Sequence, residues 1–534
     1  MPYQPIQWAN RSVEGRQVEA DGSRLLNFYA AQVSPASIDR YTPKVPVMLY
    51  STPGLRRYLN VPNRAAVHNG VTVDASPAKG CHGLLSIINP AYDTRLFGLI
   101  GQYFFFTARY GSGLDVPLDY NPTNGDAVIE LQEANIIQFS PERDEAIPAG
   151  RPSKIVTDGR RILFASENEV YVYDLGRSGG AGFITVNTPA VADLSTLEDL
   201  QSNDWIDVGW VDGFFLLAAK SGQFFHSQLD SVQFDQLDFA EAGTNPDEIV
   251  GMEILNRRIY IIGRDTVELW FNAGGADFAF SRDNSFTLQI GCVAKGTIAS
   301  NLLAIMFLGT DGIVYAMSGA QSNRISTESV EYDVARSNPQ EARAYTYTEE
   351  GHRFYSLVLD DVGGSKKNWT YDFNTGVWHE RSETDIICIE RFGNRNLVGK
   401  EGFDHIFDQR LDWGSVDDDA NSNSAVNREA ISPVLFRNFQ RMNMSQFQVD
   451  IPLKDGGVPE DYILVDWSDD AQQNWVGSTN MDGTERRLLL DRGPRFRVNR
   501  MGQTVTGRNI RLRTSARRRV DVLGAYITTD TLPT

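Results

Sequence analysis

Cysteine, positive charge and long apolar runs are all scarce in this sequence. Its 534 residues include three cysteines, Cys81, Cys292 and Cys388, and carry a net charge of −19. Three widely spaced thiols give no disulfide framework and no Cys-x-x-Cys metal pattern, so we expect small core residues in a reducing compartment. The acidic balance argues against general adhesion to DNA or to anionic membranes. The longest apolar run, Leu302–Leu308, is far too short to span a bilayer, and Met1–Pro5 shows no signal-peptide pattern. We therefore predict synthesis in the cytoplasm and no membrane insertion.

Patterns that would support catalysis or cofactor binding are equally weak. The six histidines lie in different units without ligand spacing, which predicts no zinc site and no catalytic triad. Gly176–Gly180 matches the G-x-S-x-G nucleophile elbow literally, but strand-like residues flank it on both sides, so we interpret it as a loop. Asp417–Asn421 resembles the start of a calcium loop, yet Ser422 and Arg428 stand where glycine and glutamate are needed. We expect no cofactor and no enzymatic activity.

One stretch near the C-terminus resembles the Asp-box turn of sialidases. Ser468–Trp475 follows that pattern, with Gln472 in place of the glycine. The motif is a folding turn, whereas a propeller sialidase or other glycosidase also needs paired carboxylates or a Tyr–Glu couple on the pore face. The sequence alone does not identify such a pair, so a glycosidase is kept only as the weakest alternative.

β-Hairpins dominate the middle of the chain. In Arg258–Phe271, a β-branched and aromatic run is followed by a Gly-Arg-Asp turn and a second run that alternates apolar and polar residues. Alternation at period two places one set of side chains on each face of a sheet. Leu302–Met317 repeats the pattern around the turn Gly309–Gly312. Recurrence of one hairpin along the chain indicates a repeat architecture.

The spacing of the hairpins predicts a β-propeller. The first apolar residues of successive units are Ile162, Phe214, Ile259, Leu303, Phe354 and Leu397. Intervals of 43 to 52 residues separate them, which suits four-stranded blades of about 40–50 residues each. With a further unit at Leu96 the sequence predicts six or seven blades. Helical repeats do not fit, because this region lacks a 3.6-residue apolar period.

The rest of the chain predicts an all-β protein in which a propeller is joined to a second β-domain. Six strand-like stretches in the last hundred residues indicate a β-sandwich-like platform domain. These stretches are 433–436, 447–451, 462–467, 495–498, 509–513 and 520–527. We predict an N-terminal arm that contributes to the platform (1–75), the propeller (76–414), an acidic linker (415–427) and the platform (428–534). Within the arm, short strands are expected near Arg24–Tyr29 and Val45–Leu55.

Arginine is concentrated at the end of the chain. Between Arg486 and Arg519 there are twelve arginines and one acidic residue. In the strand at 509–513 the arginines alternate with apolar residues and so share one face. The candidate basic surface consists of Arg511, Arg513, Arg517, Arg518 and Arg519. The favoured interpretation is a solvated sandwich face or ion pairs with a neighbouring subunit. The alternative is contact with DNA phosphates, which predicts steeply salt-dependent binding.

Three groups of motifs carry a resemblance to a known family. They are Leu26–Tyr29 with Val45–Val47 and Thr52–Leu55; Arg258–Gly263 with Thr266–Gly275 and Gly291–Cys292; and Trp467–Asp470 with Trp475, the arginine-rich strand and Gly524–Tyr526. In their order and spacing, the chain resembles the packaged-DNA stabilisation proteins, also called tail-hub or nozzle proteins, of short-tailed (podovirus-type) bacteriophages. Gln472 and Gln473 depart from the pattern, because glycines are usual there.

The resemblance implies a virion protein of the phage tail with no catalytic residue. It implies a homo-hexameric ring below the portal–adaptor complex that retains packaged double-stranded DNA and later conducts it into the host. The implied partners are the tail adaptor and portal, a tail spike or fibre, and a tail needle protein. Six chains of −19 each would carry −114, so we expect acidic channel walls that hold DNA weakly and without sequence preference. The alternative from another class is a lectin-like propeller that binds a host receptor.

Overall fold

The structure is a computed structural model of the 534-residue chain, and the residues that it describes are nearly all β. It describes residues 4–6, 8, 22–32, 47–61, 64–68, 71–75, 80–89, 93–101, 103–107, 129–130, 136–138, 152–166, 169–175, 183–185, 205–242, 247–275, 278–361, 363–411, 415–419, 422–436, 441–452, 461–479 and 484–531. In these ranges one α-helix, α1 (Glu328–Val334), and two 3₁₀ turns, Lys295–Thr297 and Leu490–Arg492, accompany the strands. No helix among them is long and apolar enough to cross a membrane.

The strands fall into three groups along the chain. The N-terminal arm contains β1 (Gln4–Pro5), β2 (Arg24–Leu26), β3 (Phe28–Gln32), β4 (Val47–Ser51), β5 (Gly54–Asn60), β6 (Arg64–His68) and β7 (Val71–Ala75). The segment that forms the first three blades of the propeller contains β8 (Cys81–Asn89), β9 (Asp93–Ile100), β10 (Tyr103–Phe106), β11 (Ile129–Glu130), β12 (Ile136–Gln138), β13 (Ile155–Thr157), β14 (Arg161–Ser166), β15 (Glu169–Asp174), β16 (Phe183–Thr185), β17 (Trp205–Val211), β18 (Phe214–Ala219), β19 (Gln223–Ser227) and β20 (Phe234–Glu241). Of these, β11 belongs to no blade in this segment and pairs in parallel with β5.

The later blades contain β21 (Ile249–Leu255), β22 (Arg258–Gly263), β23 (Val267–Asn272), β24 (Phe280–Leu288), β25 (Ala299–Ser300), β26 (Ile305–Leu308), β27 (Val314–Ser318), β28 (Gln321–Arg324), β29 (Arg343–Glu349), β30 (His352–Asp360), β31 (Lys366–Asp372), β32 (Val377–Arg381), β33 (Ile386–Phe392), β34 (Arg395–Lys400) and β35 (His405–Arg410). The C-terminal part contains β36 (Ser415–Asp419), β37 (Ser422–Ala425), β38 (Arg428–Ile431), β39 (Met442–Asp450), β40 (Tyr462–Ser468), β41 (Leu488–Leu489), β42 (Arg495–Thr504), β43 (Asn509–Thr514) and β44 (Gly524–Thr531).

The described residues form seven four-stranded blades, which confirms the predicted β-propeller at the higher of its two blade numbers. Blade 1 is β8-β9-β10-β12, and blades 2 to 6 take β13–β16, β17–β20, β21–β24, β25–β28 and β29–β32 in order. Blade 7 is β33-β34-β35-β5. Its fourth strand therefore comes from the N-terminal arm, antiparallel to β35, with Leu59 opposite Ile406 and Leu55 opposite Gln409.

Apolar clusters join each blade to the next and close the ring. For example, Phe97 and Phe104 of blade 1 pack with Phe164 of blade 2. Similar clusters follow between every later pair of neighbouring blades. The last cluster joins blade 7 to blade 1 and includes Leu59 and Leu96. The first strands of the blades lie innermost, since they contact one another around the ring.

Two-residue turns explain why the first two strands of several blades form hairpins. Asp212-Gly213, Asn256-Arg257 and Glu350-Gly351 all have positive φ at both positions. This is the type I′ geometry, whose twist matches that of paired strands and which favours Gly and Asn. These turns project from one common face of the propeller, because they occupy the same position in blades 3, 4 and 6.

The platform is a β-sandwich into which the arm is woven. One layer is β1-β44-β39-β42, and the other is β2-β38-β43-β40-β41. The core between the layers includes Trp8 and Leu25 from the arm, together with Phe447 and Ile510 from the C-terminal part. Strand β2 also pairs with β32, so the second layer and blade 6 form one continuous sheet of nine strands. The arm therefore contributes to the propeller as well as to the platform.

Three local predictions need correction. The expected strand at 433–436 lies earlier, at β38, because Pro433 has no N–H to donate to a ladder. The stretch predicted as an acidic linker, 415–427, contains the hairpin β36–β37, whose first strand pairs in parallel with β5. An available sheet edge orders this stretch despite its polar composition. The expected strand near Arg24–Tyr29 is two strands, which Asn27 separates with φ 55°.

The contribution of β5 to ring closure can be measured by truncation. Leu59 is fully buried in the cluster between blades 7 and 1. Leu59→Ala should lower the free energy of unfolding by about 2–5 kcal/mol, since it removes buried methyl groups and leaves a cavity. The matched control is Leu302→Ala, at a position 79% exposed, which should change stability by less than about 0.5 kcal/mol. Equal midpoints for the two variants in urea would show that β5 is not part of the ring.

Candidate functional site

The five arginines of the predicted basic surface lie in β43 and in the segment between β43 and β44. This edge of the platform faces the propeller, because Arg519 contacts Glu350 in the turn between β29 and β30 of blade 6. The candidate site is therefore the junction between the platform and blade 6. Its electrostatics depend on which carboxylates face each arginine.

Arg511 and Arg513 share one buried carboxylate. Asp466 lies on the neighbouring strand β40, opposite Arg511, and its side chain is 1% exposed. Its Oδ2 accepts hydrogen bonds from Nη2 of Arg511 at 3.0 Å and Nη2 of Arg513 at 2.8 Å, while Oδ1 accepts from the N–H of Ser478. The guanidinium of Arg511 also stacks 4.1 Å from the ring centre of Trp475. Burial lowers the pKa of Arg511 despite the charge of Asp466.

Arg517 and Arg518 differ in their partners. Nε of Arg518 lies 3.4 Å from Oδ2 of Asp461, which is buried at the start of β40. The other carboxylate oxygen of Asp461 accepts a hydrogen bond from the main-chain N–H of Arg517. The Arg517 side chain is exposed and forms no ion pair with the part of the chain that the structure describes. Of the five, it is the arginine best placed to meet another molecule.

Arg519 connects the platform to the propeller. Its two terminal nitrogens donate to the two carboxylate oxygens of Glu350 at 2.7 and 3.0 Å, and its Nε lies 2.7 Å from Asp521. Burial disfavours the charged form of Arg519, but the two carboxylates outweigh this effect and raise its pKa. A bidentate arginine–carboxylate pair fixes orientation as well as distance. The pair therefore sets how the turn of blade 6 sits on the platform.

A second connection at the junction comes from the arm and was not predicted from the sequence. Nε and Nη2 of Arg24 donate to the buried carboxylate of Glu380 on β32 at 2.9 and 2.7 Å, and Nη1 donates to Glu429 on β38 at 3.3 Å. The side-chain amide of Asn27 donates to Ser382 of the propeller and to the carbonyl of Asn427 in the platform. These contacts link strands that are more than 350 residues apart in sequence, and no local pattern marks them.

One acid at the junction is held in an unfavourable environment. Burial and the neighbouring charge of Glu350 raise the pKa of Glu349 to about 7, against the opposing hydrogen bond from Asn396. Asp408 adds to the increase, and Arg519 counteracts it. At neutral pH the carboxyl group of Glu349 is therefore only partly ionised. Its charge lies next to Glu350, in the turn that Arg519 binds.

The arrangement forms ion pairs rather than a bare cationic surface. Within the described residues, Asp466, Asp461, Glu350 and Asp521 face four of the five predicted arginines. Phosphate would have to compete with these carboxylates. Contact of this surface with a neighbouring subunit, or alternatively with DNA phosphates, stays a prediction. No cluster of three or more metal-ligating side chains occurs in the parts of the chain with defined positions.

The remaining sequence motifs behave as structural elements where the structure describes them. In the Asp-box-like stretch, Asp470 accepts hydrogen bonds from Ser468 and from the main chain and side chain of Asn474, which close a tight turn. Gln472 takes the glycine position with φ 71°, and its side-chain amide donates to the carbonyl of Gly22 in the arm. The stretch Gly176–Gly180 lies outside the described residues.

Comparison with known proteins agrees with the propeller. Residues 150–381 match the model of the family Phage_stabilise, described as "Bacteriophage P22 Gp10, beta-propeller". The match runs from just before β13 to the end of β32, and so covers blades 2 to 6. It supports a phage structural protein. The comparison with curated proteins finds no match.

Three solved structures with partial similarity are distant in sequence. The computationally designed Ika8 protein has 9% identity, with 66% of this chain and 98% of that chain covered and a TM-score of 0.35. A chain of the mitotic checkpoint complex has 11% identity, coverage of 65% and 98%, and a TM-score of 0.33. The N-terminal domain of Nup159 has 10% identity, coverage of 67% and 94%, and a TM-score of 0.35. At these TM-scores the similarities carry no argument.

Removal of the shared carboxylate should destabilise the platform. Asp466→Asn keeps the volume of the side chain but leaves Arg511 and Arg513 without their common anion. We expect a loss of about 2 kcal/mol in the free energy of unfolding, typical of a hydrogen bond to a charged group. The matched control is Arg517→Gln, which removes an exposed charge and should leave the urea midpoint unchanged. A variant Asp466→Asn as stable as the unmodified protein would contradict the described pairing.

Neutralisation of Glu349 should stabilise the protein in a pH-dependent way. Because the pKa of Glu349 is higher in the folded chain (about 7) than its ordinary value of 4.5, the ionised carboxylate opposes folding increasingly as pH rises through this window. Glu349→Gln retains an acceptor for Asn396 and removes this effect. The gain should be about 1–3 kcal/mol at pH 8 and close to zero at pH 4.5. Thermal unfolding of both proteins across this range is the measurement, and a gain independent of pH would refute the assignment.

Proposed function

We propose that this chain is the tail-hub (nozzle) subunit of a short-tailed bacteriophage. Six copies form a ring below the portal–adaptor complex, retain the packaged DNA and serve as the conduit through which the genome leaves. The observation that carries the proposal is the match of blades 2 to 6 to the phage P22 Gp10 propeller family. The order of the motifs in the arm, the propeller and the platform supports it along the rest of the chain.

The way in which the arm joins the two domains suits a component that bears mechanical load. Strand β5 completes blade 7, and β2 belongs to the sheet that blade 6 shares with the platform. Separation of propeller and platform would break these main-chain hydrogen bonds as well as the pairs of Arg24 and Arg519. Such a subunit transmits force as one body, which a channel wall around compressed DNA requires.

The axis of the propeller itself is not the conduit. Lys154 of blade 2 lies 2.8 Å from Glu253 of blade 4, and Lys295, just before blade 5, lies 3.5 Å from Asp207 of blade 3. Each pair skips a blade, so its members reach past the intervening blade along the inner wall of the ring. These charged side chains narrow the centre of the propeller. DNA passes instead along the axis of the hexamer, outside each propeller.

The charge of the protein suits a conduit that grips DNA weakly. Six chains carry a formal −114, and an acidic wall repels phosphate. A wall lined with unpaired arginines would instead bind DNA through counterion release and slow its exit. Retention then comes from a constriction or a plug, such as a tail needle protein, rather than from affinity. The tail adaptor and portal contact the ring on one side, and a tail spike or fibre attaches to it.

A reconstruction of the virion tail tests this proposal directly. We expect six copies of the 59.6-kDa chain around the tail axis, immediately below the adaptor. Mass measurement on the recombinant chain with purified adaptor should show the same hexamer. Density for the chain only at the tip of a receptor-binding fibre, together with binding of the isolated chain to a glycan array, would overturn the conduit in favour of the lectin-like alternative.

DNA binding by the recombinant chain should be weak, and its affinity should change little with salt concentration. Four of the five candidate arginines already pair with carboxylates, so few are left to release counterions from the duplex. In fluorescence anisotropy with a random duplex between 50 and 200 mM salt, we expect affinity to fall by less than about tenfold. Arg517→Gln should reduce this dependence further. A drop of about a thousandfold would mean that the channel wall is basic and would contradict the weak-grip mechanism.

A further inference from the structure

The seam that closes the propeller contains two of the three cysteines. Cys81 is the first residue of β8 in blade 1, and Cys388 lies in β33 of blade 7. They are 307 residues apart in sequence. Cys81 is buried in the cluster between the two blades, and Cys388 packs against that cluster while remaining partly accessible.

The two side chains meet across the seam. Sγ of Cys388 donates to the carbonyl oxygen of Cys81 at 3.4 Å, and the Cys81 side chain lies close enough to raise the pKa of the Cys388 thiol. Sγ of Cys81 donates in turn to the carbonyl of Gly83. Gly399, paired with Cys388 in the sheet, leaves the space in which the two cysteines approach each other. A Cβ at this glycine would lie 2.7 Å from Sγ of Cys388 and 2.9 Å from Cβ of Cys81.

The position of Cys388 is one that links neighbouring blades elsewhere in the ring. It directly follows a β-bulge in the first strand of its blade. In blade 3 the residue after the corresponding bulge is Asp207, whose carboxylate accepts a hydrogen bond from the N–H of Met252 in blade 4. Bulges redirect side chains, which here places them against the next blade. At the closing seam this linking position carries a thiol, and its hydrogen-bond partner across the seam is the carbonyl of a second cysteine.

We propose that Cys81 and Cys388 are an oxidisable pair whose disulfide closes the propeller covalently between its first and last blades. The inference rests on the geometry of the seam and does not depend on the proposed tail function. Such a pair stays reduced in the cytoplasm where the chain is made and oxidises after release into an oxidising medium.

The reaction is a thiol–disulfide exchange with a low-molecular-weight disulfide as the oxidant. The thiolate of Cys388, the more accessible of the two, attacks one sulfur of the oxidant and releases one small thiol. Cys81 then attacks the Cys388 sulfur, forms the Cys81–Cys388 bond and releases the second small thiol. The protein loses two electrons and two protons, and the oxidant gains both. The hydrogen bond with Cys81 and burial raise the pKa of the Cys388 thiol, so oxidation is slow at neutral pH and accelerates as pH rises.

The bond would restrict a long segment of the unfolded chain. A disulfide that closes a loop of this length removes much of the conformational freedom of the unfolded state. It would also connect β33 to β8, two strands of different sheets. The oxidised protein should therefore unfold at a temperature higher by several degrees, and more slowly.

The experiment uses the full-length protein, purified with reductant that is then removed. It is incubated with oxidised glutathione at pH 7 and pH 9, its remaining thiols are alkylated, and it is digested without reduction for mass spectrometry. We expect one linked peptide pair, Cys81 with Cys388, formed at least tenfold faster at pH 9 and reversed by dithiothreitol. The unfolding temperature should rise with the fraction of linked protein.

Two variants make the outcome decisive. Cys292→Ser alters the third thiol, which is buried and bonded to the carbonyl of Ala294, and should still form the link. Cys388→Ala should form no link and show no rise in unfolding temperature on oxidation, while its reduced form unfolds near the temperature of the unmodified protein. A glutathione adduct on Cys388 without the link, a link to Cys292 or between chains, or no reaction at either pH would each overturn the proposal.

Discussion

The main-chain pairing of β5 with β35 is the contact on which the rest of the structure depends. A blade that lacks its fourth strand presents an open edge, and a ring of blades is stable only if its last seam is as well packed as the others. Strand β5 provides both, because it completes blade 7 and because Leu55 and Leu59 enter the clusters on either side of that blade. Ring closure therefore requires the first sixty residues to fold together with residues near 400.

The same arm determines how the platform sits on the propeller. Strand β2 lies between β32 and β38, so one sheet passes from blade 6 into the platform without a break. Charges then fix the angle at this passage: Arg24 binds acids on both sides, and Arg519 binds the turn of blade 6. Glu380 is buried here and pairs with Arg24, whereas burial and the charge of Glu350 raise the pKa of Glu349.

Local patterns in the sequence were sufficient to predict the blades. The alternation in Arg258–Phe271 specifies two strands and their faces, and β22 and β23 occur where it predicts them. Pairings between distant segments have no such signature. Nothing in Gly54–Asn60 indicates that its neighbour is β35, and nothing near Arg519 points to Glu350. The alternation in β43 places Arg511 and Arg513 on one face, whereas nothing near the arginines indicates their carboxylate partners, which lie on other strands and in another domain.

Hydrogen exchange of the amides of β5 tests the central claim, that the arm closes the ring, most directly. Because β5 is an interior strand of its sheet, between β35 and β36, its amides should exchange as slowly as those of β34 and β35, and only when the propeller unfolds. Exchange of β5 within seconds, while β34 and β35 stay protected, would show that blade 7 is complete without the arm and would contradict the account.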